Sequence, residues 1–334
     1  MTTTAMTRTY DKLHDSMGEL LYAVAAQSFD TGAADRLASK VLDAGKASPA
    51  RTVKEKKLVT VEPTAALSSD DKVARPNGEL YYTRQWGEHK DVAVLRTGRE
   101  HSMYALIYGE PGCGKTALIE AAFATEDGGL HTILGSGDTE VADLVGGFVQ
   151  TPGGNYVWED GPLVKAAEAG EVLLVDEIGL IDTKVLAVMY GLMDGRREYN
   201  VTANPDRGVV KAKDGFYVVA ATNPNAPGVR LSEALISRFS LQAEMTTDWG
   251  LARKLGVSTQ MVTVAQNLAK KRATNEVSWG PQMRELLAFR DLERVFGTKF
   301  AVSNLLAAAP EMDRPIVADV LARVIGETCL PAKI

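Results

Sequence analysis

Cysteine is nearly missing from this chain. Cys113 and Cys329 are the only two in 334 residues, so neither a disulfide framework nor a zinc ribbon is available. Histidine is scarce as well. His14, His89, His101 and His131 lie scattered, without the spacing of metal ligands. No apolar run approaches the ~18 residues that a membrane-spanning helix needs. The N-terminus, MTTTAMTRTYDKLHD, lacks the charged-then-apolar order of a secretory leader. Positive charge is not in excess either: Lys and Arg number 37 against 43 Asp and Glu, a net charge of -6 with a pI near 5.4. That balance argues against a general nucleic-acid coat, while leaving room for a local basic groove. There is no internal repeat and no low-complexity stretch. These absences predict a soluble, reduced, cytoplasmic protein that does not engage a membrane. With 45% hydrophobic residues it can build its core without staples, and its length suits about two domains and a tail.

Three stretches differ in pattern. Residues 1–45 read as helical, with Leu13, Met17, Leu20, Leu21 and Val24 at helical intervals and a stop at Gly45. From about Lys46 to Gly78 proline, serine and mixed charge appear without period, so residues 1–78 read as a helical arm and linker. The short KEKK run within it reads as solvated charge. Residues 79–248 alternate short apolar strands (MYALIY, HTIL, EVLLV, FYVVAAT) with helical segments (KTALIEAAFA, GPLVKAAEAG, DTKVLAVMYGLMDG). Such alternation predicts an α/β domain on a largely parallel sheet. Residues 249–334 read as an all-α domain built from GLARKLG, STQMVTVAQNLAKKRAT, PQMRELLAFRDLERVFG and MDRPIVADVLARVIG.

The chemistry-bearing motif is GEPGCGKT, Gly109 to Thr116, which fits G-x-x-x-x-G-K-[ST] between a strand and a helix. Gly109, Gly112 and Gly114 permit the tight turn that aims N–H groups at phosphate oxygens. Glu110, Pro111, Cys113 and Ala117 complete the loop and its exit. The helix N-terminus adds its dipole and unpaired donors. Lys115 would reach the β and γ phosphates, and Thr116 would offer a hydroxyl to Mg²⁺. About sixty residues on, EVLLVDE ends a buried strand on two acids. Asp176 would hold the metal, and Glu177 would deprotonate an attacking water. FYVVAATNPN ends a further strand at Asn223, whose amide can both donate to and accept from a phosphate or a water. In LSEALISRF, Arg238 closes a short helix and could steady charge on a transferred phosphoryl group. Arg230, before that helix, is a second candidate.

In this order and spacing, GEPGCGKT, LLVDE, ATN and SRF resemble an AAA+ ATPase over about residues 80–300. They resemble most the MoxR-like branch with its CbbQ/NorQ and McrB relatives, the dynein-related group. FVQTPGGNYVWEDGPL is similar to that branch's helix-2 insertion, with its turn at Pro152 to Asn155. RREYNVTANPDRGVVKAKDGFYVVAATNPN is similar to its hairpin before sensor 1. The resemblance implies a P-loop NTPase core on a parallel sheet with inserted β-hairpins and a C-terminal all-α lid. It implies ATP and Mg²⁺ as ligands bound between the subunits of a homo-oligomeric ring, usually a hexamer. It carries Lys115 and Thr116 over as phosphate and metal contacts, Asp176 and Glu177 as metal and water residues, Asn223 as sensor 1 and Arg238 as a finger acting in trans. The second sensor is open. SWGPQMREL places Gln282 where the family has an arginine, with Arg284 two residues on. Tyr156, Val157 and Trp158 of the insertion either contact a client or pore, or pack on their own domain. The resemblance implies remodelling of a protein partner, with a separately encoded von Willebrand factor A-type protein as one candidate. The competing reading is a nucleic-acid-associated NTPase motor, of the McrB-like translocase or phage-replication kind, with Lys270, Lys271 and Arg272 as the best local basic site. ATP and GTP are not distinguished by any motif.

Overall fold

The computed structural model describes residues 71–334, apart from 125–128, 327, 329 and 334. All of them fall in one compact unit, residues 66–334. The expected helices before residue 45, the KEKK run and Cys329 lie outside the described residues.

The strands are β1 (Lys72–Ala74), β2 (Leu80–Tyr82), β3 (Gln85–Trp86), β4 (His89–Lys90), β5 (Ala105–Tyr108), β6 (Leu130–Leu134), β7 (Gly146–Gln150), β8 (Tyr156–Asp160), β9 (Val172–Asp176), β10 (Glu198–Asn200), β11 (Val209–Lys211), β12 (Tyr217–Thr222) and β13 (Leu241–Glu244). The α-helices are α1 (Asp91–Glu100), α2 (Lys115–Phe123), α3 (Val141–Val145), α4 (Pro162–Ala169), α5 (Thr183–Leu186), α6 (Tyr190–Met193), α7 (Glu233–Ile236), α8 (Trp249–Lys254), α9 (Thr259–Ala273), α10 (Met283–Phe296), α11 (Thr298–Ala308) and α12 (Arg314–Ile325).

Five parallel strands form the central sheet in the order β13-β5-β12-β9-β6. β12 lies in the middle, and every one of its residues is buried. In β9, Val172 to Val175 are buried and only Asp176 reaches partial exposure. Strands covered on both faces read as unbroken apolar runs, which is why these two stand out in the sequence. β13 does not stand out. Its LQAE alternates half-buried and exposed residues on a sheet edge, and four such residues carry too little apolar signal to announce a strand.

Register places the site. Thr222 pairs with Tyr108, Ala220 with Val175, and Leu134 with Asp176. The C-terminal ends of β5, β12, β9 and β6 therefore meet along one edge, where ligands bind in open parallel sheets.

Four antiparallel strand pairs flank this core among the described residues, the shortest being β3 with β4. β7 and β8 pair around the turn at residues 151–155, where Thr151 and Gly154 N–H groups donate to Asn155 O and Thr151 O. β10 pairs with β11. β1 pairs with β2, Val73 lying opposite Tyr81, so the linker expected through Gly78 yields to ordered structure by Lys72. The physical reason is that Val73 packs on the main core and Arg75 bonds to Glu120 of α2 at 2.6 Å. The single helix expected in DTKVLAVMYGLMDG is broken into α5, a 3₁₀ turn at Ala187–Met189 and α6.

The five C-terminal helices build a second hydrophobic core that includes Met261, Leu268, Leu286, Phe289, Leu305 and Val317. Asp248 and Ser258 cap α8 and α9 by accepting from the N–H groups of Leu251 and Met261, as short polar residues at helix starts do. α11 was not expected from the sequence. Its buried residues Ala301, Val302, Leu305 and Leu306 do follow a helical interval. Gly297, which both ends α10 and precedes α11 with φ 84°, hides the second helix behind the stop of the first. Among the described residues, no helix is long and apolar enough to cross a membrane.

Candidate active site

The phosphate loop runs from β5 into α2, and its shape depends on glycine. Gly109, Gly112 and Gly114 have φ of 151°, 79° and 105°, where side chains are strained. A Cβ on Gly109 would collide with the carbonyl oxygen of Met245, and one on Gly112 would sit 2.9 Å from Cβ of Arg284. Gly114 caps α2 in the left-handed region, so α2 begins directly at the loop, and a helix N-terminus suits an anion.

Lys115 is buried at 6% exposure, and its ammonium donates to Gly109 O at 2.9 Å and Glu110 O at 3.1 Å. Loop carbonyls thus hold a buried cation that an incoming phosphate could take over. Thr116 Oγ1 donates to Asp176 Oδ2 at 2.8 Å. A hydroxyl and a carboxylate in contact supply hard oxygen donors suited to Mg²⁺, so the residues present fit a magnesium-nucleotide complex. Asp176 Oδ1 accepts the N–H of Glu177 at 3.0 Å. Glu177 itself holds φ 49°, a conformation costly for a non-glycine residue and concentrated at functional sites.

Gly112, Gly114, Lys115, Thr116, Asp176, Glu177 and Arg284 share one cavity of about 650 Å³. Tyr81, Leu251, Leu255 and Leu287 are also among its walls. Asn223, 9% exposed, follows the last residue of β12, and Thr222 O accepts from Gly109 N–H at 3.1 Å. That bond sets the asparagine beside the phosphate loop.

Of the two lid candidates, Gln282 is occupied. It caps α10 in a reciprocal box with Glu285, and its Oε1 accepts from Thr247 Oγ1 at 2.5 Å. Arg284 is exposed and faces the cavity, and its N–H donates to Gly112 O at 3.2 Å. Arg238 is not brought to the cavity. Its guanidinium lies 4.2 Å from the centroid of the Tyr190 ring and donates to Ala234 O. Its Nε is buried without a partner among the described residues. Arg230 is exposed, and its N–H donates to Gly179 O at 2.7 Å.

Cys113 is fully buried, and that burial pushes its thiol pKa up, so it fills space as a protonated group. The basic cluster does not survive as an open surface. Lys271 pairs with Glu276 at 2.6 Å, and Arg272 pairs with Glu110. In the β7–β8 hairpin, Trp158 packs against Phe148 and the core, while Tyr156 and Val157 are exposed.

Arg84 carries no sequence signal of a role at the loop. It spans from Thr246 O at 3.0 Å to Cys113 O at 2.8 Å, and its Nη2 would lie 3.1 Å from a Cβ on Gly114. It sits in a stretch without period, so nothing local marks it. Asn225 is equally unmarked, because an Asn-Pro-Asn stretch reads as an ordinary turn.

The sequence profile of the AAA domain (dynein-related subfamily) matches residues 105–239. Protein NorQ of Paracoccus denitrificans (strain Pd 1222) is 28% identical over 232 residues, which are 68% of this chain and 82% of NorQ. An uncharacterized protein of Staphylococcus aureus (strain USA300) is 36% identical over 140 residues, or 40% of this chain and 52% of that protein. The chain thus spans most of NorQ and about half of the staphylococcal relative. The stretch from β5 to Phe239 contains the phosphate loop, the acidic pair and the asparagine at the sheet edge. Residues 105–239 of this chain are an AAA domain of the dynein-related subfamily, set in an enzyme that hydrolyses ATP.

Proposed function

We propose that this chain is a Mg²⁺-dependent ATPase of the MoxR/NorQ type that works in a ring of identical subunits, six in number, to remodel a protein partner. The observation that carries the hydrolytic part is the Thr116–Asp176 contact at 2.8 Å in the same cavity as Lys115 and Glu177. Bound MgATP would supply the scissile anhydride and the polarising metal charge. Thr116 and Asp176 are the residues to hold that metal. Lys115, released from the loop carbonyls, neutralises phosphate charge. Glu177 takes the proton from the attacking water, and Asn223 orients that water or the terminal phosphate. Arg284 serves as the arginine of the helical region, since Gln282 is committed to its cap. Tyr81, Leu251, Leu255 and Leu287 in the cavity walls offer apolar surface to a base. The division proposed is an arm through residue 78, whose last stretch from β1 onward is packed on the nucleotide domain through Val73 and Arg75, then a nucleotide domain at 79–248 and a helical lid at 249–334. The two separate hydrophobic cores support it.

Arg238 is assigned to the neighbouring subunit's site, because it lies away from its own. The exposed Tyr156 and Val157 at the hairpin end are offered to the client, for which a von Willebrand factor A-type protein is the candidate. The nucleic-acid motor loses support with the pairing of Arg272 and Lys271. Steady-state ATPase assays on Glu177→Gln test the assignment. The variant should bind MgATP as the parent does and lose turnover by roughly 10²–10⁴-fold, the usual worth of a general base. Unchanged turnover would refute the role.

A further inference from the structure

Glu110 is an acid in a loop built to receive phosphate, and phosphate binding gives no reason for it. A carboxylate near a polyanion costs Coulomb energy. The surroundings of Glu110 meet that cost in a particular way. Its Oε1 accepts from Asn225 Nδ2 at 3.1 Å and pairs with Arg272 Nη2 from the last turn of α9. The two charged side chains are 28% and 26% exposed. Asn225 in turn donates its backbone N–H to Asn223 Oδ1 at 3.2 Å. One carboxylate oxygen therefore gathers three parts of the molecule: the helical C-terminal region, the phosphate loop, and the turn that carries Asn223.

We propose that Arg272 and Glu110 are positioning residues forming a latch between the helical region and the phosphate loop, in which Arg272 neutralises Glu110 so that the loop can accept a nucleoside triphosphate. The proposal rests on the nucleotide-binding reading given above. Arg272 does not line the cavity that holds Lys115 and Thr116, so it acts through Glu110 rather than on phosphate. Asn225 alone cannot replace it, because a neutral amide offsets no charge. Glu110 does not line that cavity either; removing Arg272 strands its carboxylate on the loop beside the cavity, and stranding one member of a pair costs more than removing both. The latch therefore has a signature of sign. Loss of Arg272 should be harmful, and the further loss of the Glu110 charge should relieve the harm. An arginine bound directly to phosphate would give no such relief.

The test is titration of full-length protein with mant-labelled ATP and Mg²⁺, using the parent, Arg272→Ala, Arg272→Lys, Glu110→Gln and the Glu110→Gln/Arg272→Ala pair, each checked by thermal unfolding. Arg272→Ala should weaken binding about tenfold, equivalent to about 1.4 kcal/mol, a moderate value for a pair still partly in solvent. Arg272→Lys should recover most of the loss, and the double variant should return to within about threefold of the parent. A double variant as weak as Arg272→Ala overturns the latch, as does parental affinity in Arg272→Ala. Should Arg272→Ala fail to fold, Arg272→Gln with and without Glu110→Gln decides by the same comparison. A parent that binds no MgATP defeats the nucleotide reading itself, and the latch with it; binding by the parent with the wrong ranking defeats the latch alone.

Discussion

At the residue scale, the site is shaped by what each position cannot tolerate. Gly109 combines φ 151° with a neighbouring carbonyl, Met245 O, that leaves no room for a methyl group. Gly109→Ala should therefore cost about 2 kcal/mol or more of stability and distort the loop around Lys115. The expected results are a lower midpoint in thermal unfolding and weaker MgATP binding; an unshifted midpoint would show that the loop can relax. Lys115 shows the complementary case. A buried ammonium needs partners, and here the carbonyls of Gly109 and Glu110 provide them. The carbonyls hold the lysine where a phosphate would want it, without committing it to a carboxylate from which it would have to be pulled.

At the element scale, two inserted hairpins share one anchor. Arg207, in the β10–β11 loop, grips Asp160 at the end of β8 through two parallel bonds of 2.9 and 3.0 Å and reaches Glu168 of α4 at 2.6 Å. Trp158 Nε1 donates to the same Asp160 at 2.7 Å. The hydrogen bonds from Arg207 hold the Asp160 pKa below its ordinary 3.8. A carboxyl depressed in the native state contributes stability that is full above its unfolded pKa and fades as pH falls through the lower native one. The anchor should therefore be intact from neutral pH down to about pH 4 and be lost only below it. Hydrogen exchange in β7, β8 and β11 should be pH-insensitive in mechanism above that point, and Arg207→Ala should raise exchange in both hairpins together. Faster exchange in β10–β11 alone would show that the hairpins are independent. Elements also separate what sequence patterns reveal from what they conceal. β9 and β12 declare themselves because both faces are buried, whereas β13 alternates like any surface stretch.

At the scale of the whole molecule, the two hydrophobic cores meet at the phosphate loop: Arg284 N–H bonds Gly112 O, and Arg272 pairs with Glu110. A nucleotide bound there would touch both. Arg238, stacked on Tyr190 away from the cavity, belongs to a different surface. If it completes a neighbour's site, Arg238→Ala and Lys115→Ala should each lose ATPase activity, the former by roughly 10³–10⁵-fold. Mixed rings should then regain a fraction of the activity, because some interfaces join an intact loop to an intact arginine. Mixtures that stay as inactive as their components would place Arg238 outside catalysis.

The phosphate loop, the acidic pair, the asparagine after β12 and the α/β-then-α order were all legible in the residue string. Each is a local pattern: glycines where backbone must turn, acids where an apolar run stops, helical or twofold spacing of apolar side chains. The partners of Glu110, the commitment of Gln282 to the cap of α10 and to Thr247, the reach of Arg84 and the anchoring of two hairpins by Arg207 were not legible. All four depend on charges or amides separated by tens to more than a hundred residues. An arginine on a helix looks alike in sequence whether it meets water or a carboxylate. Only the packing of the second core against the sheet edge decides which, because distance and desolvation, and not residue type, set the worth of a charge.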